Sequence, residues 1–152
     1  GHAMAGGVKI APDRIDAFAE SFERYAAERL SPEDLQPVLR IDAMVEASDL
    51  ALAVVRQVRK LAPFGMGNPR PVLACQGCRL GGQPRRVGRE GSHLQFVVKV
   101  DDRLFKAIAF GRADLAEPLA AAASFDVAFE PDISTFRGET VEMIVRDVRF
   151  PG

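Results

Sequence analysis

The segment Pro63-Phe64-Gly65-Met66-Gly67-Asn68-Pro69-Arg70-Pro71 constrains this chain more than any other stretch. Three prolines and two glycines in nine residues exclude regular structure. Each proline lacks an amide donor and holds φ near one value, so neither a helix nor a central strand can run through. The segment must be a rigid, irregular connection. It also separates two patterns: helices lie mostly before it, and residue alternation prevails after it.

On the N-terminal side, Pro12 suits the first position of a helix, with Asp13 in its first turn. Ile15, Phe18, Ala19, Phe22, Ala26 and Leu30 follow at helical spacing, which predicts an amphipathic helix packing one face. Ser31-Pro32-Glu33-Asp34 predicts a further single turn. From Pro37 the period becomes two, with Leu39, Ile41, Ala43 and Val45 on one side of an expected strand. Ser48-Asp49 is the expected cap of a second helix carrying Leu52, Val55, Val58 and Leu61 on its apolar face.

Beyond Pro71 the expected strands are Val72–Leu80, a short one from Arg85 to Arg89, His93–Val100, Arg103–Phe110, Phe125–Glu130 and Glu139–Phe150. An Ala-rich helix is expected over Arg112–Ala123, and Phe136-Arg137-Gly138 joins the last two strands. Short strands with one helix between the third and fourth main ones fit an OB-type barrel, partly open. The fold class is therefore α+β: an N-terminal helical segment, then a mainly β, OB-like barrel with one inserted helix. Residues 1–36 form the first part and 37–152 the second, with 63–71 as the rigid connector.

Asp101-Asp102 predicts the turn of a hairpin. With an even-length loop, Val98 faces Phe105 and Lys99 faces Leu104. Leu94, Phe96, Val98, Phe105, Ala107 and Ala109 then share the core face. His93, Gln95, Lys99, Lys106 and Phe110 share the other. An odd loop would invert the second strand and return Phe110 to the core.

Charge sharpens this picture. The net charge is −1, but between Arg79 and Arg112 eight Lys or Arg meet three acids, a local +5. The remaining 12 basic and 18 acidic residues carry −6. A basic block on an acidic body indicates a local anion-binding face. The competing reading is an Arg-rich solvated hairpin. Cations beside an aromatic ring are what single-strand nucleic-acid binders use, because phosphates pair and bases stack. The candidate DNA contacts are Arg85, Arg86, Arg89, His93, Gln95, Lys99, Arg103, Lys106, Phe110 and Arg112. The Arg85–Gly91 stretch can follow a phosphate backbone or simply be an exposed loop.

Other chemistries find little support. Cys75-Gln76-Gly77-Cys78 lies in an expected strand, without the second cysteine pair of a structural zinc site and without the helix start of a redox motif. Gly65-Met66-Gly67 is only part of a dinucleotide-binding pattern. No Walker, GxSxG or HExxH sequence occurs, and two histidines make a multinuclear metal site hard to build. No apolar run approaches the roughly 20 residues of a membrane span. Gly1 to Lys9 does not resemble a signal peptide. Two cysteines then fit a reducing, cytoplasmic setting.

The run Leu61-Ala62-Pro63-Phe64-Gly65-Met66-Gly67-Asn68-Pro69-Arg70-Pro71-Val72-Leu73 closely resembles the L-x-P-F-G-x-G-N-P-x-P-x-F stretch of RecJ exonucleases. Arg86-Val87-Gly88, His93-Leu94 and Lys106-Ala107-Ile108-Ala109-Phe110-Gly111 fit the same family. Gly1-His2-Ala3-Met4-Ala5-Gly6-Gly7 is similar to the end of the G-G-H-x-x-A-A-G motif of a DHH-associated domain. It departs in lacking the first glycine and in having Gly6 where alanine is usual.

The resemblance implies a larger bacterial enzyme for DNA repair and recombination that degrades single-stranded DNA from the 5′ end with Mn or Mg. Its catalytic Asp and His motifs would lie in N-terminal domains outside this chain. This portion would be non-catalytic and need no cofactor of its own. Residues 1–36 would end the DHH-associated domain, with Gly1, His2 and Gly6 a remnant of its substrate-phosphate site. Pro63, Phe64, Gly65, Gly67, Asn68 and Pro69 would be a structural strut. Expected partners are single-stranded DNA, the catalytic domains and single-strand-binding protein, with no membrane. Two rivals stand beside this: an architectural barrel that positions the nuclease without binding DNA, and a fragment with residual phosphoesterase activity.

Overall fold

The computed structural model describes residues 5–136 and 138–151. They fall into two units, Gly1–Val38 and Leu39–Gly152. In the first, a single 3-10 turn at Pro12–Arg14 leads into α1, Ile15–Ala27. Phe18 stacks on Phe22 at 5.9 Å, and the Arg29 guanidinium lies over the Tyr25 ring at 3.6 Å. The apolar stripe is there, but no α1 residue is buried. The expected single turn also forms: Asp34 Oδ2 accepts from the Ser31 amide and hydroxyl at 2.8 and 2.9 Å.

The second unit opens with β1, only Ala43–Met44, which pairs in parallel with the start of β2, Leu73–Leu80. The expected strand from Leu39 is cut short for a reason the register supplies. With Ala43 opposite Leu73, Ile41 and Leu39 fall opposite Pro71 and Pro69, which have no amide to donate. Leu39 and Ile41 instead line an open groove of about 420 Å³ with Met44, Val127 and Ala128. The helix α2, Leu52–Arg59, starts after Ala51 without a side-chain cap. Asp49 closes the preceding turn by accepting from the Glu46 amide at 2.9 Å. Of the expected apolar stripe, Val55 is buried while Leu61 is 57% exposed. Ion pairs from Arg56 to Glu139 and from Arg59 to Asp132 hold α2 on the barrel.

The proline-rich connector is ordered by its asparagine. Asn68 Nδ2 donates to the carbonyls of Leu61 at 2.8 Å and Pro63 at 3.0 Å, and Gly65 and Asn68 exchange backbone bonds. Arg70 lies over the Phe64 ring at 5.1 Å.

The remaining strands are β3 (Arg85–Val87), β4 (His93–Val100), β5 (Arg103–Ala109), β6 (Phe125–Ser134) and β7 (Thr140–Arg149), with α3 (Ala116–Ala121) between β5 and β6. A 3-10 turn, Ala113–Leu115, replaces the expected first turn of that helix. The sheet order is β1-β2-β6-β7-β5-β4-β3, and a further β2–β4 pairing brings its ends together. Five strands (β2, β4, β5, β7, β6) thus close a barrel, with β5 and β7 parallel. This is an OB fold, its helix where that topology places it. The closing seam is short, only Arg79↔Lys99 and Leu80↔Val98. Strand β6 runs past Glu130 and tolerates Pro131 because the β2 ladder beside it ends at Leu73↔Phe129.

The core is one cluster. Leu94, Phe96, Val98, Phe105, Ala107 and Ala109 all point inward and are buried, as the even turn requires. Phe125, Val127, Phe129, Met143, Leu50, Leu115 and Leu119 complete it. Each large side chain so enclosed contributes about 1.5–3 kcal/mol by removal from water. Cys75 and Cys78 also face inward as buried free thiols. A bulge between them, with Gly77 at φ 62° donating to Asp126 Oδ1 at 3.0 Å, inserts the extra residue that turns both sulfurs to the core. The adjacent Cys78 and burial push the Cys75 thiol above the ordinary range.

Candidate nucleic-acid interface

Cross-strand register assembles the outer face of the barrel in rows. Leu104, Lys99 and Arg79 form one, by the pairs Lys99↔Leu104 and Arg79↔Lys99. The next sets Lys106 beside Val97, with Glu142 on the β7 side. The third sets Ile108 beside Gln95 and Arg85, with Ile144 on β7. The last holds Val87, His93 and the Phe110 ring, which meets the imidazole edge-on at 5.2 Å. Cations and apolar side chains are therefore interleaved over β3, β4 and β5, with Arg79 of β2 and Glu142 of β7 at the margins.

The ten candidate contacts separate into two groups. Arg85, Arg86, Arg89 and Lys106 are exposed and form no ion pair among the described residues. Gln95 is half-buried between Arg85 and Ile108, and Phe110 is 57% exposed. The others are engaged within the fold. Lys99 pairs with Asp102 at 3.5 Å. Arg112 binds Asp114 through Nε at 3.1 Å and reaches Asp147 at 3.7 Å. Arg103 stands opposite Val100, on the core side of the pleat, where it donates to the Ala47 carbonyl and lies over the Phe105 ring. His93 Nδ1 accepts from the Gly111 amide at 2.9 Å. Arg86 has core-side parity too, opposite Leu94, but β3 is an edge strand and leaves it in solvent.

Two features of this surface escaped the pattern reading. Arg79 joins it only through the barrel seam, a contact between residues twenty apart in sequence. Phe136, 71% exposed, sits in the loop joining β6 and β7. The parallel pair Lys106↔Glu142 puts the start of β7, and hence that loop, level with Leu104. The Arg85–Ser92 segment lies at the other end, beside His93. The β4–β5 surface thus runs between the two loops that OB folds use to hold oligonucleotides.

Comparison with known sequences decides the family. The RecJ OB domain model matches residues 41–147.

The chain belongs to the RecJ OB domain family. It is also 29% identical over 148 residues to the single-stranded-DNA-specific exonuclease RecJ of Dickeya dadantii, covering 95% of this chain and 25% of that protein. The RecJ of Thermus thermophilus is 33% identical over 118 residues, 78% of this chain and 16% of its own length. That of Bacillus subtilis is 21% identical over 97% of this chain and 19% of its length. The chain thus spans about a quarter or less of these RecJ proteins.

The RecJ-like N-terminal motif lies mostly outside the described residues, Gly1 and His2 included, and Gly6 is exposed. Among the described residues no group of three His, Cys, Asp or Glu side chains is disposed to hold a metal ion. No described helix is long and apolar enough to cross a membrane.

Proposed function

We propose that this chain is the single-strand-gripping portion of a RecJ-type 5′–3′ exonuclease of DNA repair and recombination. One observation carries the reading: the open cations Arg85 and Lys106 lie on one outer face of an OB barrel with the exposed Phe110 ring, and Arg86 and Arg89 stand exposed on the edge strand and the turn beside it. Phosphates meet the cations and a base stacks on the ring, a sequence-tolerant combination. The names of the RecJ relatives support the substrate class. Cleavage, with Mn or Mg, belongs to domains elsewhere in the parent protein, and this portion is non-catalytic. Those domains and single-strand-binding protein are its further partners.

Binding of labelled oligo-dT, followed by fluorescence anisotropy across a salt series with duplex as control, tests this. Five open cations, Arg79 with the four above, predict on single-stranded DNA a slope of log K against log salt of about −3.5. Absence of binding at low salt would leave the architectural reading. The internal engagement of Lys99, Arg103 and Arg112 favours that second reading. Incubation with Mn and a 5′-labelled strand should leave the strand intact; shortening would show residual phosphoesterase activity.

A further inference from the structure

His93 occupies a position that a DNA-contacting residue does not require. Its Nδ1 accepts the Gly111 amide at 2.9 Å, with Ser92 Oγ 3.3 Å away. Accepting at Nδ1 leaves the ring proton on Nε2. The imidazole lies against Gly88, where an added Cβ would come within 2.8 Å of Cδ2. Its other neighbour is Phe110, at 5.2 Å and 76°. Gly88 and Gly111 both hold positive φ, 84° and 68°, which favours glycine, and at Gly88 the close approach also leaves no room for a side chain. The imidazole is thus wedged between two segments. One carries Arg85, Arg86 and Arg89, and the other carries Phe110.

We infer that His93 is a positioning residue that fixes the Phe110 ring at a set distance from the basic Arg85–Arg89 segment. This rests on the DNA-binding reading above and gives it a geometry. Phosphate contacts and the base contact are spaced by one rigid side chain. Edge-to-face contact restricts the Phe110 rotamer in the free protein, so less freedom is lost when a base stacks. Removing the ring should therefore weaken the base-dependent part of binding and spare the phosphate-dependent part.

The test uses the 152-residue chain with two labelled strands of equal length, oligo-dT and an abasic analogue. His93→Asn keeps an acceptor near the Nδ1 position and deletes the ring. Phe110→Leu deletes the stacking surface. Each is expected to weaken oligo-dT binding roughly tenfold, the scale of one stacked base. Neither should alter affinity for the abasic strand or the salt slope. The double variant should bind no more weakly than Phe110→Leu alone, because His93 acts through Phe110.

Unchanged oligo-dT affinity in His93→Asn overturns the inference. So does an equal loss on both strands, or independent addition of the two effects. Gly88→Ala supplies a second route that keeps the imidazole but forces it aside, because the added Cβ would lie 2.8 Å from Cδ2. Weaker oligo-dT binding is expected, and unchanged oligo-dT affinity would again overturn the inference. Wild-type protein that binds neither strand at low salt sinks the DNA-binding reading and this inference together. Wild-type binding without the selective loss sinks the positioning role alone.

Discussion

Val98 stands directly opposite Phe105 across the β4–β5 hairpin, and both are buried. Leu104, one residue away, is 62% exposed on the opposite face. This pairing yields a stability contrast. Phe105→Ala should cost about 3–5 kcal/mol through lost burial and a cavity. Leu104→Ala should stay within about 0.5 kcal/mol. Urea unfolding measures both, and a reversed order would mean the hairpin is out of register by one residue.

Lys106 and Arg103 are both cations of β5, yet their variants should differ in kind. Lys106→Ala should weaken single-strand binding equally for all sequences and reduce the salt slope by about 0.7. Arg103→Ala removes a bond to the Ala47 carbonyl and a contact with Phe105. It should lower the unfolding midpoint and leave the salt slope unchanged. A smaller slope for Arg103→Ala would place that guanidinium on DNA after all.

Asp126 links acid sensitivity to the cysteine bulge. The Gly77 amide foremost, and Arg149 at 2.6 Å next, hold its carboxyl below the ordinary carboxylate range. A carboxyl lowered by folding stabilises the protein above its unfolded pKa of about 3.9. That contribution disappears as pH falls through the lower folded value. Asp126→Ala should therefore be less stable than wild type at neutral pH, and the gap should narrow as pH drops below about 4. Urea midpoints at several pH values give the gap directly; a constant gap would show that charge is not the cause.

Asn68 donates two hydrogen bonds to carbonyls on the far side of its own loop. Asn68→Ala should cost about 1 kcal/mol. Asn68→Asp should cost more, because an ionised carboxylate has no donor and would face two carbonyl oxygens. Thermal unfolding of the two variants at neutral pH ranks them. An Asp variant as stable as wild type would show that these bonds do not hold the connector.

Much of the barrel was legible before any coordinates. Alternation along His93–Val100 and Arg103–Ala109, joined by an even turn, assigned six core residues and the opposite face. From Leu39 to Val45 alternation does not become a full strand, because a segment's own pattern says nothing of the prolines that must pair beside it. Nor does the sequence separate the eight basic residues of the block. Arg103 shows the limit: its neighbours in sequence place it in the basic block, while its partner Ala47 lies 56 residues away.

By itself, then, the sequence determined what depends on near neighbours. That includes the two-residue turn, the inward and outward sides of each long strand, the irregular Pro63–Pro71 connector and the presence of a basic block. Tertiary structure alone decided what depends on closure. The Arg79↔Lys99 seam completes the barrel, Asp147 draws in Arg112, and the Gly111 amide holds His93 against Phe110. Local periodicity tells which side a residue faces, but only the folded chain shows whether a charge on that side has already found its partner.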